Sequence, residues 1–384
     1  MKKIITFALG ISLILSNVAV AKELNANDFL KTITASVNWL KNAQEENGHF
    51  KYEYMPFMDR YSADDNIVRQ AGAMYILGEV LIRDGNNKFD LKNNIEKAME
   101  YFEKNTYQGN FNNYEFRCVL EIPDQCGTGA TSLVLLGLID LTEKYPDLKN
   151  KYQDIMTGYL NFILAMKKET KGFRKGYYLN KEQSDIESDF YNGEALLALS
   201  RYYKQTNDST VKNTIDDAFE YFYDFYKKEW NNNFYLWGMA AIKELYSLDP
   251  QEKYFKFVKE YTNWRIADYK SKRDKINNKC AYLEGVVSAY SILEQNITEE
   301  EKTFYMEEIN FWLNQSKGLQ IKKGDKLKIQ LNKKTSKKLK LIKPEKAIGG
   351  FLTKTTEPVQ RIDYTQHCLS SFLQKYTDID KQSL

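Results

Sequence analysis

Six stretches of this chain are apolar on nearly every side, and each follows a segment that is apolar on one face only. The six are RQAGAMYILGEVL from Arg69, GTGATSLVLLGLIDL from Gly127, YNGEALLALSRYY from Tyr191, LWGMAAIKELY from Leu236, LEGVVSAYSIL from Leu283 and DYTQHCLSSFL from Asp363. A helix apolar all round has to be buried, and its Ala and Gly residues let neighbouring helices approach closely. Three of the preceding amphipathic segments end in a Gly and a Phe: Gly48 with Phe50, Gly109 with Phe111, and Gly172 with Phe173. A fourth, EEINFWLNQSKG, reaches Gly349-Gly350-Phe351 only after an insertion. The spacing of about 60 residues fits two helices and a loop, a unit that cannot bury its apolar face alone. Six such hairpins closing into a ring would bury all six.

The insertion, residues 322–346, reads KKGDKLKIQLNKKTSKKLKLIKPEK. Its alternation in KLKIQL and KLKLIK, joined by NKKTSK, predicts a small β-hairpin. It carries eleven Lys against two acids, whereas the rest of the chain has 44 basic and 50 acidic residues. The basic charge is therefore local. A partner for it would be an anionic surface or polymer, and its simplest role is a solvated, edge-protected hairpin. Nucleic acid is not an expected partner, because no recognition motif accompanies the lysines.

Residues 1–21 read as a secretory signal: Lys2 and Lys3, an apolar run from Ile4 to Leu15, and Ala19-Val20-Ala21 as a cleavage site. No later stretch has the length of a transmembrane helix. The expectation is an exported bacterial protein, periplasmic or secreted, with residues 22–384 as one domain. Export permits disulfides. Cys118 and Cys126 bracket the short CVLEIPDQC and are expected to pair, while Cys280 and Cys368 either bridge two helix starts or remain free. His49 and His367 are the two histidines and lack metal-ligand spacing, and there is no C-x-x-C. No metal and no cofactor is expected.

The alternation of amphipathic and buried helices over residues 30–376 resembles the (α/α)6 toroid superfamily. This all-α fold is shared by six-hairpin glycosidases, sugar epimerases, uronate lyases and hydrolases, terpene cyclases and lanthionine-synthetase-like proteins. An aspartate-rich cyclase motif is absent, and Cys368 follows His367 with no Gly after it, so neither of the last two chemistries carries over. The resemblance implies a pocket over the N-terminal ends of the inner helices, where free N–H groups and positive potential converge.

The six helix starts are polar. Asp65, Arg69 and Gln70 stand at the first, Asp189, Tyr191 and Glu194 at the third, and Trp237 at the fourth. Glu284 stands at the fifth, and Arg361, Asp363, Tyr364 and His367 at the sixth. Acids, arginines and aromatic rings together suit a glycan, because rings stack on sugars and acids bind hydroxyls. Each also has a plainer role: Asp65 and Asp189 as helix caps, Arg69 as the partner of Asp65, Asn192 as an N-cap with Glu194 favourable to the helix dipole, Trp237 as packing. Glu194, Glu284, Asp363 and His367 are the catalytic candidates. Asp65, Arg69, Gln70, Asp189, Tyr191, Trp237, Arg361 and Tyr364 are the candidate substrate contacts. Glycoside hydrolysis needs two carboxyls: Glu194, its pKa lowered by the helix start, would be the base, and an enclosed Glu284 or Asp363 the acid. Proton abstraction beside a uronate carboxylate needs instead a Tyr or His base and an arginine, for which Tyr191, Tyr364, His367, Arg69 and Arg361 are available. A non-catalytic envelope protein that binds glycans is the remaining alternative.

Overall fold

The six apolar stretches form the inner wall of a closed ring. In the computed structural model, residues 23–169, 171–271, 278–324, 326–330 and 335–384 are described. The expected signal segment 1–21 and the hairpin residues 331–334 lie outside them. Outer helices are α1 (Ala26–Ala43), α3 (Lys92–Lys104), α5 (Lys149–Met166), α7 (Ser209–Lys228), α9 (Glu252–Ser271) and α11 (Glu299–Lys317). They alternate with inner helices α2 (Ile67–Arg83), α4 (Thr128–Lys144), α6 (Asp189–Thr206), α8 (Asn232–Leu248), α10 (Lys279–Leu293) and α13 (Ile362–Gln374). A single turn, α12 (Pro344–Ala347), precedes the last. Each inner helix packs on the next, and α13 closes the ring on α2. This is the six-hairpin arrangement expected from the periodicity.

Small residues set how tightly the ring closes. A Cβ at Gly193 would stand 2.6 Å from Trp237 Cβ and 2.9 Å from the Gly238 nitrogen, so α6 has no room for a side chain where it meets α8. The outer helices end in a recurring device. Phe50, Phe173 and Phe351 each form an isolated bridge with the end of the preceding outer segment. The N–H of each is then held by a polar side chain of the following inner helix: Gln70 Oε1 (2.8 Å), Asn192 Oδ1 (2.8 Å) and Thr365 Oγ1 (3.2 Å). The Gly-Phe repeat is thus a clamp between outer and inner helix. The second hairpin departs from it: Gly109 and Phe111 lie within strand β3 (Thr106–Phe111), and Val119 takes the clamped position, its N–H 3.0 Å from Thr131 Oγ1. Asn192, expected as an N-cap, is one of the clamps, and Ser188 precedes the helix instead.

The rim carries β-structure that helical periodicity does not signal. Strands β1 (Glu53–Met55), β2 (Arg60–Tyr61) and β9 (Gln360–Arg361) form one sheet in the order β2-β1-β9. Strands β3, β4 (Tyr114–Ile122), β5 (Gln125–Gly127) and β6 (Gly176–Tyr178) form another in chain order. The basic insertion forms β7 (Lys326–Gln330) paired antiparallel with β8 (Ser336–Lys340), the predicted hairpin.

Both cysteine pairs are bridged. Cys118–Cys126 joins β4 to β5, and Cys280–Cys368 joins the first turn of α10 to the second turn of α13 across 88 residues. A closed loop of that length is worth roughly 4–5 kcal/mol by unfolded-chain entropy. Replacing both Cys280 and Cys368 by Ser is expected to lower the melting temperature by roughly 6 °C in calorimetry; an unchanged transition would mean that this bridge contributes nothing.

At the C-terminal ends of the inner helices the ring is plugged by buried charges. Arg201 pairs with Asp140 (3.1 Å), Glu244 (3.3 Å) and Glu79. Arg83 joins Glu79 (2.6 Å) to Asp378 (3.2 Å), and Lys243 reaches Asp378 at 2.9 Å. Asp140 is pushed up to about 7 by burial, with Glu79 adding to the effect and Arg201 opposing it.

Candidate functional site

All six inner helices begin around one cleft of about 740 Å³. Its walls are first-turn and second-turn residues: Arg69 and Gly72 of α2, Leu133 of α4, Phe190, Tyr191 and Glu194 of α6, Leu236 and Trp237 of α8, Ala281 of α10, and Asp363, Tyr364, Gln366 and His367 of α13. Arg361 of β9, Glu121 of β4 and Lys175 beside β6 complete it. In ring order α6 and α13 stand three helices apart in both directions, so their residues face each other across the cleft.

The α6 wall carries a buried acid whose surroundings favour its protonated form. Glu194 is 3% exposed, and its Oε2 accepts no hydrogen bond among the described residues. Its carboxyl is pushed well above the ordinary range, first by burial and then by the charge of Glu121, with Arg69 opposing. This reverses the expected depression by the helix start. A dipole acts within the first turn, whereas Glu194 sits in the next, where desolvation outweighs it. Glycine makes the space: a Cβ at Gly129 would lie 2.2 Å from Glu194 Oε2. Tyr191 donates its OH to Glu121 Oε1 at 2.7 Å, leaving Glu121 Oε2 buried without a partner among the described residues.

The facing wall carries an oriented imidazole. His367 Nδ1 lies 2.7 Å from Glu284 Oε2, and Glu284 is 1% exposed beneath it. A carboxylate on Nδ1 fixes the tautomer with its proton there and directs the Nε2 lone pair elsewhere. No hydrogen bond to Nε2 forms among the described residues, and His367 lines the cleft. Trp237 lies against the His367 ring (6.0 Å between centroids) and edge-on to Tyr75 (5.5 Å), which underlies the cleft above Arg201.

Beside His367, Asp363 is forked by Arg361 (Nε to Oδ1 3.0 Å, Nη2 to Oδ2 2.6 Å) and held by Arg69 Nε at 3.1 Å. Burial works to raise its pKa, but the Arg361 hydrogen bonds and charge, with the charge of Arg69, outweigh it and hold the carboxyl low. Asp363 is therefore an ionised strut between two arginines and not a protonated acid. The expected partner of Arg69, Asp65, is bound to His49 (3.1 Å) and to Gln70 (2.7 Å). Neither tyrosine suits a base: burial first, then the charge of Glu121 for Tyr191 and of Asp363 for Tyr364, raises both phenols above their ordinary value.

Arg69, Tyr191, Glu194, Trp237, Arg361, Asp363, Tyr364 and His367 thus meet in one cleft, with Glu284 directly behind His367. Three candidate contacts do not. Gln70 spends its amide on both backbone groups of Phe50, Asp65 supports that clamp, and Asp189 accepts from Tyr226 of α7 at 2.8 Å.

No protein-family model matches the chain, and no curated protein matches it. Solved structures do. A cellobiose 2-epimerase from Bacillus thermoamylovorans superposes with TM-score 0.63 at 11% identity, over 90% of this chain and 98% of that one. A GH76 alpha-mannanase from Bacteroides thetaiotaomicron gives 0.62 at 11%, over 92% and 97%. An unsaturated glucuronyl hydrolase specific for heparin gives 0.62 at 12%, over 94% and 100%. The fold is the (α/α)6 toroid. At these identities the likeness is one of fold, and the chemistry of the site has to be argued from its own residues.

Two residues of the toroid cleft carry no helix-start signal. Glu121 and Lys175 come from the β-structure inserted before α4 and α6, so neither falls at the mouth of an apolar run. The one available cue for Glu121 is its place inside CVLEIPDQC, between the two bridged cysteines.

Proposed function

We propose that this chain is an exported carbohydrate-active enzyme working by acid–base catalysis in the toroid cleft. Glu194 is the proton donor, and His367, positioned by Glu284, is the proton acceptor on the facing wall. The observation that carries this is geometric: a buried Glu194 carboxyl with an oxygen left unpartnered among the described residues stands across the cleft from an imidazole whose Nδ1 is already committed to a carboxylate, and burial shifts the Glu194 pKa upward, toward the donor role. Catalysis of this kind needs one group in each protonation state at the same pH. Arg69 and Arg361 stand beside the acceptor, where positive charge stabilises an enolate or holds a substrate carboxylate. The free oxygen of Glu121 is an acceptor for a sugar hydroxyl, and Trp237 offers a ring for stacking. Two disulfides fit an oxidising compartment.

This set of groups favours removal of a C–H proton beside a carbonyl or carboxylate, the step shared by epimerases, isomerases and lyases. Glycoside hydrolysis is the second reading, favoured by the placement of donor and acceptor on opposite walls: His367 would then activate water and Glu194 protonate the leaving oxygen, with inversion. Incubation with neutral and uronic-acid oligosaccharides in D2O, followed by proton NMR, separates them. The expected result is deuterium entering a sugar C–H position, lost in His367→Gln and reduced at least 10-fold in Glu284→Gln. New reducing ends with neither such exchange nor a new vinyl proton from a C=C product would support hydrolysis, whereas the vinyl signal would support elimination. No reaction with any saccharide would leave a binding protein.

A further inference from the structure

The basic hairpin is built at a cost that folding alone does not explain. Lys326 and Lys340 sit directly opposite each other in the β7–β8 ladder, an arrangement that like charges destabilise. Lys322, Lys323, Lys326, Lys337, Lys338 and Lys340 are all exposed, and none forms an ion pair among the described residues. Protecting a sheet edge takes far fewer. Of the described lysines between 322 and 346, only Lys346 forms an ion pair among the described residues, with Asp59 at 2.8 Å.

The position of the hairpin gives these charges a direction. Ile329 and Leu341 are buried, and Leu341 packs in one apolar cluster with Tyr54 of β1, Ile321 and Leu352. Strand β1 pairs with β9, where Glu53 lies opposite Arg361, the arginine of the cleft wall. Hairpin root and cleft arginine therefore belong to one rim structure at the same end of the ring. The remainder of the chain is net acidic, 44 basic against 50 acidic residues. Five-residue strands span roughly 17 Å, longer than one sugar ring.

We propose that the β7–β8 hairpin is a docking arm for a polyanionic glycan chain, such as a polyuronate, whose end or side residue enters the cleft. A lipid surface fits less well: the apolar side chains of the ladder turn inward, and Met58 and Ile342 are the two large apolar residues left exposed beside it among those described. The proposal rests on the reading of the cleft as a sugar site, and its test is a binding measurement that needs no turnover.

The purified chain is titrated with polygalacturonate, neutral mannan, phosphatidylglycerol vesicles and a DNA duplex, at low salt (about 20 mM) and at high salt (about 500 mM), where charges are screened within a few ångströms. Variants carry Ser at Lys326, Lys337, Lys338 and Lys340, or, as a control, at Lys88, Lys149, Lys256 and Lys302, which stand at or near the starts of outer helices and so toward the end of the ring away from the cleft. Polygalacturonate is expected to bind at low salt, at least 10-fold more weakly to the hairpin variant and unchanged in the control, with the difference disappearing at high salt. Turnover of short saccharides by the hairpin variant should match that of the parent chain. Equal binding of polygalacturonate by parent and hairpin variant overturns the proposal and leaves the cleft reading intact. So does binding of vesicles or DNA in preference to the polyuronate. Hairpin-dependent binding without any turnover would sustain the arm and overturn the enzyme reading.

Discussion

Replacing Glu194 by Gln is expected to lower turnover by about 10²–10⁴-fold, the usual contribution of a positioned acid, while making the protein more stable above neutral pH. The two effects share one cause. Burial and Glu121 raise the Glu194 pKa in the folded chain, so the folded state holds a proton that the unfolded chain releases near its ordinary carboxyl range. Its contribution to stability is present at low pH and is lost as pH rises through the raised value. A neutral amide at this position removes that loss. Melting curves from pH 4 to pH 9 should diverge, with the variant higher at the alkaline end. Equal turnover would remove Glu194 from the mechanism, and superimposable melting curves would mean that its carboxyl is not held neutral.

Replacing Arg201 by Met should cost roughly 3–5 kcal/mol, because it strands buried carboxylates that now share one guanidinium. Glu79, Asp140 and Glu244 all lean on Arg201. Burial opposes ionisation of each; for Glu79 and Glu244 the Arg201 charge and neighbouring cations outweigh it, and Glu244 is held at about 2. Asp140, raised to about 7, contributes stability that is lost as pH rises through that value. Without Arg201, charging this cluster costs more still, so the deficit in urea unfolding should be larger at pH 8 than at pH 5.5. A variant as stable as the parent at both would show that the plug is not what holds the closed end of the ring. The cleft lies at the other end, so ligand binding by the folded variant should survive.

The ring is legible in the sequence because burial writes itself into composition: helices surrounded by helices are apolar all round, and all six inner helices follow from that. The positions of Glu194, Asp363 and His367 at helix mouths are legible for the same reason. Their charge states are not. The helix-mouth argument sees a local dipole, whereas Glu194 responds to Gly129, Tyr191 and Glu121 packed on it from its own and other elements. Along the chain Asp363 reads as an enclosed acid, but Arg69, distant in sequence, and Arg361 share it. Gln70 reads as a ligand, and Asn192 as a cap, because a polar residue on a buried helix needs a purpose. That purpose is the backbone of Phe50 and Phe173, which the Gly-Phe repeat marks and single-helix reasoning does not connect to them.

The central claim is that a sugar occupies the cleft between Glu194 and His367. The most direct test is a thermal-shift titration of the parent chain, Glu194→Gln and Trp237→Ala with neutral and uronic-acid oligosaccharides. At least one saccharide should raise the melting temperature of the parent chain, with the shift altered in Glu194→Gln and abolished in Trp237→Ala. A shift indifferent to both substitutions would place the ligand elsewhere, and no shift with any saccharide would contradict the account.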